Sequence, residues 1–137
     1  GRFQYLKKGK IKEMLNKNES LMVDGAHAPA DAKNLSDYLK SIKLPKYGIL
    51  AMMKNKEPEL FIKNLKGVFE KIITIPIENE KGSLKAKDLH KIVLKNKIRS
   101  ENCKNFYDAL KKISSKEPKL LVVLGSLYQT ANILNKN

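Results

Sequence analysis

The chain has 137 residues, 42% of them apolar and 31% charged, with a single cysteine and a formal net charge of +14. That length supports one hydrophobic core and is too short for two domains of ordinary size, and the mixture argues against disorder. A lone Cys103 excludes an internal disulfide and a cysteine-based zinc site, and no apolar run approaches the ~20 residues of a membrane-spanning helix; with lysines rather than an apolar leader near Gly1, a cytoplasmic protein without membrane association is expected.

The segment Arg2 to Met14 is amphipathic and reads as an extended strand or hairpin on a sheet edge. Leu21-Met22-Val23 is the first clear strand, ending at Asp24-Gly25. After Pro29, the 3–4 spacing of Leu35, Tyr38, Leu39 and Ile42 predicts a helix, stopped by Pro45. Gly48 to Met53 reads as a second strand, followed by a helix begun at Pro58, with Leu60, Phe61 and Leu65 inward and Gly67 as terminator. The β-branched run Ile72 to Ile75 predicts a third strand. Ser83 then caps a helix carrying Ala86, Leu89, Ile92 and Val93. Arg99 to Asn105 is polar and unassigned, and Phe106, Ala109, Leu110 and Ile113 mark a further helix. Lys119 to Leu124 is the strongest strand, and Gly125-Ser126 turns into a last helix with Leu127, Ala131 and Leu134 inward. Continuous apolar strands alternating with helices predict an α/β fold, a mostly parallel sheet with helices on both faces, in one domain spanning 1–137.

In such a sheet, ligands sit beyond the carboxyl ends of the strands. Three loops qualify: Asp24 to Pro29, Lys54 to Glu57, and Gly125 to Tyr128. Asp24 suits a ribose diol or a cation, although Asp before Gly is also an ordinary turn. His27 suits a carboxylate or proton exchange, and a lone loop histidine is equally often a surface residue. Ser126 opens a helix where hydroxyl and amide groups suit an anion, or simply caps it. Lys54 and Lys56 are individually weak signals in so lysine-rich a chain. Arg2, one of two arginines, has donors that fit phosphate. His90 reads as structural or exposed, and Cys103 as a non-catalytic thiol. No phosphate loop, dinucleotide fingerprint or nucleophile elbow occurs, so the candidate phosphate contacts look like half of a site. The 26 lysines are scattered through every segment rather than gathered into a stripe, and no aromatic-basic platform accompanies them. No nucleic-acid partner is expected, and a stand-alone basic binding module is the competing reading.

Four segments in order carry a resemblance: Gly1-Arg2-Phe3-Gln4, Leu21 to Pro29 with its Asp-Gly-Ala-His, Gly48 to Lys56, and Gly125-Ser126-Leu127-Tyr128. Together they resemble the carboxy-terminal domain of folylpolyglutamate synthase/dihydrofolate synthase, a Rossmann-like domain of the Mur ligase superfamily. The resemblance implies one domain of an ATP-dependent amide ligase that joins L-glutamate to dihydropteroate or folate through an acyl phosphate. ATP and Mg2+ would be held mainly by an amino-terminal ATPase domain that this chain lacks, leaving the isolated monomer inactive. It further implies that Arg2 contacts ATP phosphates and Asp24 the ribose, while His27, Ser126 and, less directly, Lys56 hold the incoming glutamate; no metal ligand is expected here. Ala28 departs from the family's usual Asn, and Asn55-Lys56-Glu57 from its Asp-Lys-Asp-like turn, which leaves an inactive ligase remnant as another alternative.

Overall fold

The computed structural model describes residues 3–137. A six-stranded sheet forms the centre. Its strands are β1 (Gln4–Tyr5), β2 (Glu19–Val23), β3 (Lys46–Leu50), β4 (Lys71–Thr74), β5 (Ser100–Asn102) and β6 (Lys119–Leu124). They lie in the order β1-β2-β6-β3-β4-β5, all parallel except β1, which pairs antiparallel with β2. The helices are α1 (Lys10–Met14), α2 (Pro29–Lys40), α3 (Pro58–Lys63), α4 (Ala86–Lys95), α5 (Phe106–Ile113) and α6 (Leu127–Lys136).

The apolar strands are double-sided, as parallel strands covered by helices must be. Along β6, Leu120, Val122 and Leu124 pack with Leu35, Phe61 and Leu89 from α2, α3 and α4. Leu121 and Val123 of the same strand pack with Ile11, Leu110 and Ile133 from α1, α5 and α6. The mostly parallel α/β sandwich read from the sequence is therefore the observed fold. Because β6 inserts between β2 and β3 while sending its helix to the opposite face, the loops after β2, β6 and β3 diverge and open a crevice.

Several local readings are corrected. Lys10–Met14 is a helix, not strand or hairpin. It starts after Gly9, at φ 104°, and its first amides bond to the far end of the chain: Lys10 N–H to Asn137 O at 3.2 Å and Ile11 N–H to Asn137 Oδ1 at 2.9 Å. A cap lent by Asn137 leaves no local sequence signal. The unassigned polar stretch contains β5, whose Glu101 is paired with Lys71 and Lys112; an edge strand carries such residues without burying them. β3 begins two residues earlier than Gly48 and ends at Leu50. Ser83 caps no helix: its Oγ accepts the Ile77 N–H at 2.8 Å, its backbone bridges to Met53, and α4 starts later, with Lys85 at the N-cap. Leu60 and Leu127 are 49% and 57% exposed rather than inward. The inward positions of α3 are Phe61 and Ile62, followed by Leu65 beyond its end. Those of α6 are Gln129, Thr130 and Ile133, Ala131 being exposed. Among the described residues no helix is long and apolar enough to cross a membrane.

Candidate functional site

The crevice over β2, β6 and β3 holds a cleft of about 350 Å³, lined by His27, Met53, Asn55, Lys56, Gly125, Ser126, Leu127 and Tyr128. Three residues singled out in the sequence, from three separate loops, thus share one cavity. Gly125 makes this possible. It sits at φ 108°, and a Cβ there would lie 2.2 Å from the Ala51 carbonyl oxygen, so glycine alone lets the exit of β6 pass against the exit of β3.

Ser126 is extended at the N-cap of α6, and its Oγ accepts from the Tyr128 N–H at 3.0 Å and the Gln129 N–H at 3.4 Å. With its lone pairs engaged by the helix, the hydroxyl proton remains to be donated outward. The plain-cap reading and the ligand reading are therefore compatible. Gln129 braces this turn from beneath: its Nε2 donates to Leu124 O at 3.0 Å and Ile49 O at 3.3 Å, tying the first turn of α6 to the ends of β6 and β3. Sequence reasoning took Leu127 rather than Gln129 as the inward residue. A cap at Ser126, which places N3 over the strand ends, was the available signal.

Lys56 is half-buried, and no carboxylate among the described residues pairs with it. The Nδ1 of His27 is buried and has no hydrogen-bond partner among the described residues. A buried, unsatisfied ring nitrogen costs stability unless something else supplies the partner, which marks it as a group awaiting a ligand or an ordered water. The cleft thus offers one ammonium, the His27 ring, an outward hydroxyl and the amino end of a ten-residue helix. Leu127 and Tyr128, both more than half exposed, supply an apolar rim that the sequence reading had not placed there.

Asp24 lies below the cleft rather than on its wall. It is fully buried; its Oδ1 accepts the Ala26 N–H at 2.7 Å and its Oδ2 the Phe3 N–H at 3.1 Å. It shapes the turn that presents His27 and fastens the start of β1 beside it. Arg2 lies outside the described residues. Ala28 occupies the N-cap of α2 in extended conformation without a side-chain acceptor, although its own N–H reaches Asp31 Oδ2 at 3.3 Å. Among the described residues no group of three or more His, Cys, Asp or Glu side chains could hold a metal ion. His90 bonds Ser100 Oγ at 2.9 Å, away from the cleft. Burial pushes the Cys103 thiol up, keeping it protonated and poorly nucleophilic.

The family model for the dihydrofolate synthetase C-terminal domain matches residues 7–136. The chain belongs to that family. No curated protein matches the chain in sequence. Among solved structures, folylpolyglutamate synthase from Thermotoga maritima is 22% identical, with a TM-score of 0.79 over 98% of this chain and 30% of that one. A bifunctional folylpolyglutamate synthase/dihydrofolate synthase with Mn, AMPPNP and L-glutamate bound is 17% identical, with a TM-score of 0.78 over 98% of this chain and 30% of that one. E. coli FolC in complex with DHPP and ADP is 18% identical, with a TM-score of 0.75 over 88% of this chain and 29% of that one. At these identities the likeness establishes a shared fold, and the chain spans about 30% of the length of the proteins it resembles.

Proposed function

We propose that this chain is the carboxy-terminal domain of an ATP-dependent ligase that joins L-glutamate to dihydropteroate or folate, and that its cleft receives the glutamate. The observation that carries the proposal is the convergence of His27, Lys56 and Ser126, from three loops, on one cavity at the carboxyl ends of the central strands. Glutamate is a small dianion with one ammonium. Lys56 supplies a counter-charge, the Ser126 hydroxyl and the amino end of α6 supply donors to a carboxylate, and the His27 ring on the cleft wall supplies the remaining polar contact. Formation of an acyl phosphate makes the later loss of phosphate easy, so the domain's contribution is to hold the incoming amine in line and exclude water. ATP and its magnesium ion would be held by parts of the enzyme outside this chain, with Arg2 reaching the phosphates. For Asp24 to meet a ribose hydroxyl, that hydroxyl would join the Phe3 N–H at the Asp24 carboxylate, whose oxygens each accept more than one hydrogen bond. An isolated domain should be inactive. Localisation in the cytoplasm and a monomeric state accompany the proposal.

The test uses the complete enzyme. His27→Ala and Ser126→Ala are each expected to raise the KM for glutamate by about tenfold, the size of one hydrogen bond to a charged ligand. The KM for ATP should stay within about twofold, since neither group is assigned to nucleotide. Unchanged glutamate KM in both variants would remove the assignment.

A further inference from the structure

Between β4 and α4 the chain passes through residues 75–84, which run back over the exit of β3 before the helix begins. We infer that this segment is a strap that positions Lys56 in the cleft, with Ser83 as its positioning residue; the inference rests on the reading of the cleft as a glutamate site. The outgoing limb lies along the end of β3, where the Ile75 N–H donates to Leu50 O at 2.9 Å. Ile75 and Ile77 are buried in the same apolar cluster as Ala51. The chain then turns at Asn79, whose φ of 61° is one that asparagine adopts more readily than bulkier residues.

The returning limb pairs with the loop that carries Lys56. Ser83 faces Met53 in an antiparallel bridge, flanked by hydrogen bonds from the Lys54 N–H to Gly82 O at 2.7 Å and from the Leu84 N–H to Met52 O at 2.9 Å. Met53 O in turn accepts the Lys56 N–H at 3.3 Å, closing the turn that brings Lys56 to the cleft wall. The Ser83 side chain locks the two limbs together. Its Oγ accepts the Ile77 N–H at 2.8 Å and donates to Leu84 O at 2.9 Å. The turn of the strap is also tied to α6, the helix that Ser126 caps: Lys136 Nζ lies 3.0 Å from Glu78 Oε2, and Asn132 Nδ2 lies 3.5 Å from Glu78 O.

Ser83 does not line the cleft, so it acts through Met53 and Lys56, which do. The strap comes close enough to bear on them: a Cβ at Gly82 would lie 2.7 Å from Met53 Cε. Lysine carries its charge on a flexible four-carbon stem with much rotamer freedom to lose on binding. Backbone held at Met53 and Lys54 confines that freedom to the side chain, so a bound carboxylate has fewer bonds to order. Removing the Ser83 hydroxyl leaves the Ile77 N–H without its acceptor and uncouples the limbs, which frees the Lys56 turn while leaving the sheet intact.

The experiment is a double-mutant cycle in the complete enzyme, with Ser83→Ala made alone and on Lys56→Ala. Ser83→Ala is expected to raise the KM for glutamate about fivefold, with the KM for ATP within about twofold, and Ser83→Thr to restore the glutamate value. On Lys56→Ala the same change should add less than about twofold, because the group it positions is gone. Hydrogen-exchange mass spectrometry of Ser83→Ala should show exchange about tenfold faster across 52–57 and 76–84 and unchanged across 119–124. An equal penalty with and without Lys56 would reduce Ser83 to general stability and overturn the inference, as would unchanged exchange across 52–57. If Lys56→Ala raises the glutamate KM and Ser83→Ala does not, the inference fails and the glutamate reading stands. If Lys56→Ala leaves that KM unchanged, the role of Lys56 in the glutamate reading fails, and the inference falls with it.

Discussion

Gly125→Ala tests whether the cleft depends on one close approach between strand ends. At φ 108° the new Cβ would lie 2.2 Å from Ala51 O, 2.8 Å from Leu50 Cδ1 and 3.0 Å from Met52 Cγ. The first contact is a backbone atom about 1 Å inside ordinary van der Waals range, so the exits of β6 and β3 must separate. Adopting a positive φ with a side chain costs about 1–2 kcal/mol, and forcing the packed loops apart about 1–3 kcal/mol more. A total of about 2–5 kcal/mol is a large part of an ordinary domain's stability of about 5–15 kcal/mol. With a urea slope of about 2 kcal/mol/M, the unfolding midpoint should fall by about 1–2.5 M. Gly67→Ala separates the two contributions: it has φ 81° but nothing within 4 Å of the added Cβ, so it should lose only the conformational part. Urea unfolding followed by far-ultraviolet circular dichroism reads both variants. Equal losses at positions 67 and 125 would show that the Ala51 contact does not matter, and an unshifted Gly125→Ala midpoint would refute the whole argument.

Two further outcomes are expected. Ala28→Asn should stabilise the chain by about 1 kcal/mol, because position 28 already has the extended N-cap conformation and lacks only a side-chain acceptor; an unchanged urea midpoint would show that the first turn of α2 is satisfied in another way. Glu19 is buried, which pushes its carboxyl up, but the Asn16 and Ser115 amides, the Ser114 hydroxyl and Lys119 outweigh this and hold it below 4.5. A depressed folded value means that its stabilisation is complete above the unfolded value near 4.5 and is lost as pH falls through the folded one. Glu19→Gln should therefore cost about 3–5 kcal/mol at neutral pH, leaving Lys119 buried and unpaired, with a smaller deficit in acid. Urea midpoints across a pH series check it, and a deficit that stays constant into acid would contradict the linkage.

The candidate site was legible in part because its residues sit where strands end. Asp24, His27 and Ser126 each follow an apolar run and precede a helical pattern, so chain order alone placed them at the carboxyl edge. What was not legible follows from partners distant in sequence. The cap of α1 comes from Asn137, and the unpaired Nδ1 of His27 is a property of a cavity, not of a segment. The inward face of α6 was misread because Gln129 is polar; only the carbonyls of Ile49 and Leu124 make its burial sensible. Ser83 was drawn from its expected cap by the Ile77 amide.

By itself, the sequence determined the fold class. Double-sided apolar strands can be buried only between two helical layers, and that periodicity is a local property of the chain. The tertiary structure decided which loops meet. Insertion of β6 between β2 and β3, with Gly125 allowing the strand exits to touch, brought Lys56, His27 and Ser126 to one cavity and left Asp24 beneath it. Strand order depends on pairings between segments as far apart as Leu21 and Leu121, and no local pattern of side chains encodes such a pairing.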